Sequence, residues 1–139
     1  MKTTGLLIVL LCVSGCAITL ADLRAYPTAP VASFPGDKNT VTLCVSDGLD
    51  NHPDTSRFLY KVVTRPGGPN SIVGYQQMPS GPFVFTPSPF LELLIDTRLP
   101  SQIAVDERHY LGYGGALLPA VRQIAEACAA PSPDAGTAR

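Results

Sequence analysis

Thr40-Val41-Thr42-Leu43-Cys44-Val45-Ser46 is the stretch whose reading decides the expected fold. Val41, Leu43 and Val45 alternate with Thr42 and Cys44, which is the period of a half-buried strand, and β-branched residues suit that conformation. A strand is predicted here. Arg57 to Arg65 repeats the pattern, with Phe58, Tyr60 and Val62 set against Leu59, Lys61 and Val63. Pro66-Gly67-Gly68-Pro69-Asn70 then forms a turn, and Ser71 to Gln77 reads as the next strand. Pro82 to Thr86 places Phe83 and Phe85 on one face of another short strand, and Gln102 to Asp106 and His109 to Tyr113 are further candidates.

Phe90 to Thr97 has two readings. Its apolar run suits a buried strand, while Ser88-Pro89 would also cap a helix; the strand is preferred. From Leu117 to Ala129, Leu117, Val121, Ile124, Ala125 and Cys128 recur at helical spacing, and Pro119 suits a first turn. The expected fold is mainly β (α+β): a small antiparallel sheet or sandwich with one C-terminal helix. Fourteen prolines argue against a mainly helical chain.

The N-terminus carries a different signal. Met1-Lys2 precedes an apolar run, Gly5 to Val13, too short to span a bilayer, as in a secretory signal peptide. Val13-Ser14-Gly15-Cys16 ends it with an aliphatic residue, two small residues and a cysteine, which resembles the lipobox of bacterial lipoproteins. The resemblance implies that residues 1–15 are removed and that Cys16 becomes the mature N-terminus, with a thioether-linked diacylglycerol and an amide-linked acyl chain. Cleavage after Ala21, or an uncleaved anchor, are the alternatives. Ala17 in place of Asp implies, by resemblance to enterobacterial sorting, an outer-membrane address facing the periplasm.

Of four cysteines, Cys12 leaves with the signal and Cys16 takes lipid, so Cys44 and Cys128 remain in an oxidising compartment and are expected to pair. Two buried free thiols are the alternative. No Cys-x-x-Cys or Cys/His cluster supplies the further ligands of a metal site. Pairing would lay the C-terminal helix across the Thr42/Cys44 face of the first strand. Residues 16–39, with Pro27, Pro30 and Pro35, read as a tether. Residues 40–129 form the domain and 130–139 a disordered tail.

Removing Lys2 leaves nine Lys and Arg against eleven Asp and Glu, with no basic run, so nucleic acid is not an expected partner. His52-Pro53-Asp54 matches the tripeptide by which J-domains engage their chaperone partner, but there it joins two helices. Asp47, Asp50, Asn51 and Asp54 lack EF-hand spacing and a following bidentate Glu, and read as a solvated loop between strands. Neither His52 nor His109 belongs to a hydrolase motif, and Gly112-Tyr113-Gly114-Gly115 lacks the phosphate-binding glycine pattern. No cofactor and no catalytic activity are expected.

What remains is protein binding. Tyr75, Phe83, Phe85, Tyr110 and Tyr113 lie near Gly- and Pro-containing turns, where aromatics either fill a small core or anchor an interface. The expected contact residues are Asp47, Asp50 and Asp54 on one loop and Tyr110 and Tyr113 on another. The lipobox, the short tether, Val41-Thr42-Leu43-Cys44-Val45 and a strand-rich domain with one disulfide together resemble periplasmic lipoproteins assigned as immunity factors for type VI secretion toxins. The resemblance covers Cys16 to about Gln77, and it implies binding to a toxin by occlusion. The C-terminal helix departs from the all-strand ending of that pattern. A structural or assembly role in a secretion or pilus machine is the alternative.

Overall fold

Asp37 settles what the Val41 to Val45 stretch becomes. The computed structural model describes residues 18–110 and 114–129, and in it Lys38–Asn51 is a helix, α2, not the predicted strand. Asp37 caps it by accepting the Thr40 amide at 2.9 Å, which satisfies a donor the first turn leaves open. The spacing that packs is Val41, Val45 and Leu49, all buried, whereas Leu43 is 69% exposed. β-branched residues bias toward strand only weakly, and burial of a helical stripe overrides them. The acidic stretch is corrected with it: Asp47 and Asp50 ride on the last turns of α2, and His52 is its C-cap.

The segment expected to be a tether is also folded. It holds a short helix α1, Leu20–Arg24, and a strand β1, Ala29–Pro35, and the remaining strands are β2 Leu59–Val63, β3 Asn70–Gly81, β4 Val84–Leu99 and β5 Gln102–His109. All pair antiparallel in the order β1-β5-β4-β3-β2. Pro30 and Pro35 are tolerated because β1 is an edge strand, where a missing N–H need not cost a ladder bond. Two predicted strands, Pro82 to Thr86 and Phe90 to Thr97, are one continuous β4. A bulge leaves Phe90 between the pairs Gly74↔Leu91 and Tyr75↔Pro89. Gly74 makes room for its ring, since a Cβ there would lie 3.1 Å from Phe90 Cζ and from Tyr60 Cε1.

β4 separates two layers. Leu91, Leu93 and Ile95 join Ile72, Ile103 and Val105 in a core closed by Val41, Val45 and Leu49 of α2. The C-terminal helix α3, Gly114–Ala129, adds Leu117, Val121 and Ile124 to it. It begins earlier than expected, so Pro119 sits inside it rather than in its first turn. α2 and α3 approach so closely at Gly48 that a Cβ there would meet Ile124 Cγ2 at 2.5 Å. Cys44 and Cys128 are bonded, with Cα atoms 5.9 Å apart; the bond joins helix to helix rather than helix to strand. Asn70, fully buried, donates to Asn39 and Thr42 of α2 and accepts the Arg65 amide, which locks the turn before β3 onto that helix.

On the opposite face Glu92, between Leu91 and Leu93, is 1% exposed. Arg24 of α1 donates to it at 2.8 and 3.1 Å and Ser71 at 2.8 Å, while Arg108 stands 3.8 Å away. Burial pushes this carboxyl up, but hydrogen bonds from Arg24 and Ser71 and the nearby positive charges more than offset that and hold it below the ordinary value. α1 is fixed further by a Thr19/Asp22 capping box, by fully buried Leu23 and by Ser88 donating to the Ile18 carbonyl at 3.3 Å.

Two stability tests follow from this packing. Closing a loop of 84 residues contributes about 4 to 5 kcal/mol in the chain-entropy model, so a Cys44→Ala, Cys128→Ala variant should lose about 2 to 4 kcal/mol in urea unfolding. A smaller loss than about 1 kcal/mol would mean the helices hold without the bond. Because the folded Glu92 pKa is depressed, its contribution is complete above the usual Glu range and is lost as pH falls through the lower folded value. Unfolding followed from pH 6 downward should therefore show a stability loss beginning near pH 4 that is shallower in Glu92→Gln. Parallel curves would assign the loss to other carboxylates.

Candidate functional site

The expected contact residues that the structure describes sit on different elements. Asp47, Asp50 and Asp54 are exposed, the first two on α2 and the third in the turn after it, where the Asp54 amide donates to His52 Nδ1 at 3.2 Å. Tyr110 is engaged elsewhere. Its amide donates to the Phe90 carbonyl at 2.9 Å, and its ring meets Tyr26 edge-on with centroids 5.8 Å apart. It therefore helps hold the segment between α1 and β1 rather than standing free at a loop tip. Tyr113 and Cys16 lie outside the described residues, as do 1–15 and 130–139.

Of the three acidic residues, Asp47 lines a groove. Cys44, Asp47, Gly48 and Asn51 of α2 line one wall, Gln123, Ile124, Ala127 and Cys128 of α3 the other, and His52 and Pro53 close an end, around a volume of about 390 Å³. Gly48, lacking a side chain, lets α3 approach, and almost fully buried Ile124 and exposed Ala127 give the groove its apolar lining. The disulfide spans the pair and fixes their spacing. Asn51 donates to the Asp47 carbonyl at 2.8 Å and to the Asp47 carboxylate at 3.1 Å, which holds that carboxylate against the end of α2 at the groove. Chemically, the site combines a preformed apolar slot with negative charge beside it, a combination that receives a basic, partly apolar protuberance. The sequence pattern flagged Asp47, Asp50 and Asp54 but not Gly48, Gln123 or Ala127. Gly48 in the middle of a helix would have been the signal, because glycine there is unfavourable unless backbones must come close.

A second cavity, about 240 Å³, is lined by Tyr26, Pro27, Thr28, Ala29, Glu107 and His109. Glu107 is buried, and its Oε2 lies 3.1 Å from His109 Nδ1, the arrangement by which a carboxylate orients an imidazole. Neither member was an expected site residue. Among the described residues no group of three or more His, Cys, Asp or Glu is placed to hold a metal ion. Among them, too, no helix is long and apolar enough to cross a membrane.

The β3–β4 hairpin carries three consecutive exposed apolar side chains. Phe83 is 100% exposed, Phe85 63% and Val84 55%. β2 pairs with β3 only from Ser71 to Tyr75, and β5 with β4 only from Leu91 to Leu99. Residues 76–89 are thus a two-stranded ribbon beyond the five-stranded sheet. Compared with known proteins, the chain matches no family model, no curated protein and no solved structure.

Proposed function

We propose that the chain is a lipoprotein, anchored through Cys16 at the periplasmic face of the outer membrane, whose domain binds one protein partner and acts by occlusion. The α2–α3 groove carries this reading: it is spanned by the disulfide and lined by Ile124 and Ala127 with the Asp47 carboxylate beside them. The partner it fits presents an apolar side chain flanked by Lys or Arg. A secreted toxin neutralised by masking is the first reading, in keeping with the resemblance to type VI immunity lipoproteins. A subunit of an envelope secretion or pilus machine is the alternative, and the genes beside this one separate the two.

The anchor is tested by feeding cells a fatty-acid analogue. Cys16→Ser should abolish labelling and leave the precursor unprocessed, because the modified sulfur is required before cleavage; equal labelling of variant and parent would overturn the lipoprotein reading. For the groove, a photo-crosslinker placed at Gln123 in the native host should trap one protein. Asp47→Lys should weaken that protein's binding about tenfold or more, since like charges at an interface cost several kcal/mol, with the unfolding midpoint not lowered. Undiminished binding would move the interface off the groove. Turnover of peptidoglycan or peptides by the purified chain, lost in His109→Ala, would instead assign chemistry to the Glu107 and His109 pair.

A further inference from the structure

The N-terminal segment is bound to the domain almost from the point where lipid would be attached. Ile18 is held by Ser88, and α1 behind it is held by Leu23 and by the Arg24 to Glu92 pair. Cys16 precedes Ile18 by two residues, which span at most about 7 Å. In place of a tether of several nanometres, a lipid on Cys16 would hold the base of the β3–β4 ribbon at the bilayer surface. Phe85 is three strand residues beyond Ser88, roughly 10 Å at about 3.3 Å per residue. The exposed tip and the lipid attachment point thus fall within about 25 Å of each other.

The tip also has the composition that an interface of lipid and water accepts. No charged residue occurs between Arg65 and Glu92, so the whole ribbon can enter the headgroup layer without desolvating a charge. Phe83, Val84 and Phe85 present contiguous apolar surface, and aromatic and aliphatic side chains are those that seat in the boundary of headgroups and acyl chains. A ribbon suits that depth because its inner ladder satisfies its own backbone groups while the outer edges face hydrated headgroups. A protein-binding tip is ordinarily ringed by a polar rim that includes charged residues, and no charge occurs in this ribbon.

We propose that the β3–β4 tip is a second membrane contact, with Phe83, Val84 and Phe85 seated in the leaflet that holds the Cys16 lipid. The proposal rests on the lipoprotein reading of Cys16. Two attachments, one covalent and one folded, would fix the orientation of the domain on the bilayer. α1 lies on the opposite side of the sheet from the α2–α3 layer, so the groove and the lipid-proximal helix occupy different faces of the domain.

The test uses the mature acylated protein reconstituted into vesicles of equal parts phosphatidylethanolamine and phosphatidylglycerol. A polarity-sensitive dye is placed on Val84→Cys, or on Leu43→Cys of exposed α2 as the comparison, with the Cys44–Cys128 bond left oxidised. The Val84 dye should shift its emission to the blue and be quenched several-fold more strongly by nitroxides high on the acyl chain than the Leu43 dye. Phe83→Ser with Phe85→Ser should return the Val84 dye to water without moving the unfolding midpoint. Water-like emission at Val84 in acylated protein would overturn the membrane contact while sparing the lipoprotein reading. Shielding at Val84 that appears only with a protein partner, or only at high protein density, would replace the bilayer with that partner or with a second copy. If mass spectrometry finds no acyl chain on Cys16, the lipoprotein reading fails and the proposal fails with it.

Discussion

A carboxylate in the middle of a β-sheet must be paired, and Glu92 imposes that requirement on this fold. Left without a partner, an ion buried between Leu91 and Leu93 would cost several kcal/mol or take up a proton. Arg24 meets it from α1, Ser71 from the neighbouring strand, and Arg108 stands beyond. Arg108 in turn donates to the Arg24 carbonyl at 2.9 Å, so cation and helix are held together. One pairing requirement therefore folds the N-terminal segment onto the sheet, covers its second face and brings residue 18 to within hydrogen-bonding distance of β4. In the proposed lipoprotein this sets how near the membrane the domain sits.

The other face depends on close approach of two helices. Gly48 removes the side chain that would collide with Ile124, and the bond from Cys44 to Cys128 holds the approach once made. The same closeness leaves a slot instead of a filled seam, because Gly48 and Ala127 supply too little volume to close it. The disulfide-held seam and the groove thus arise from one packing arrangement. Asp47 and Asp50 sit near the negative end of the α2 dipole, a placement unfavourable for stability. It is accounted for if their charge serves recognition.

The hairpin shows how strand lengths shape a surface. β3 and β4 are long, β2 and β5 are short, and the difference leaves a ribbon with no layer over it. Pro79, Pro87 and Pro89 fall in this ribbon, where an outer edge has no further strand to pair with. Its apolar tip cannot be buried by the domain itself.

Much of this was legible from the sequence by itself. The C-terminal helix, the strands on either side of Pro66 to Asn70, the strand character of Phe90 to Thr97, the mainly β class and the pairing of Cys44 with Cys128 follow from local period, turn chemistry and cysteine usage. Only the tertiary structure decided Val41 to Val45, whose alternation and β-branching fit a strand, but whose Asp37 cap and Leu49, four residues beyond Val45, fit a helix. The balance tips once an apolar sheet face is present for that stripe to cover, and no local pattern reports the face. The supposed tether was misread for the same reason. Pro30 and Pro35 exclude a central strand but permit an edge, and Arg24 acquires its role only when Glu92, 68 residues away, is buried beside it. The groove was half visible, Asp47, Asn51 and His52 being close in sequence, its other lining split between residue 48 and residues 123 to 128. Local spacing carries the period of an element, whereas the partner that buries it is a fact of the whole chain.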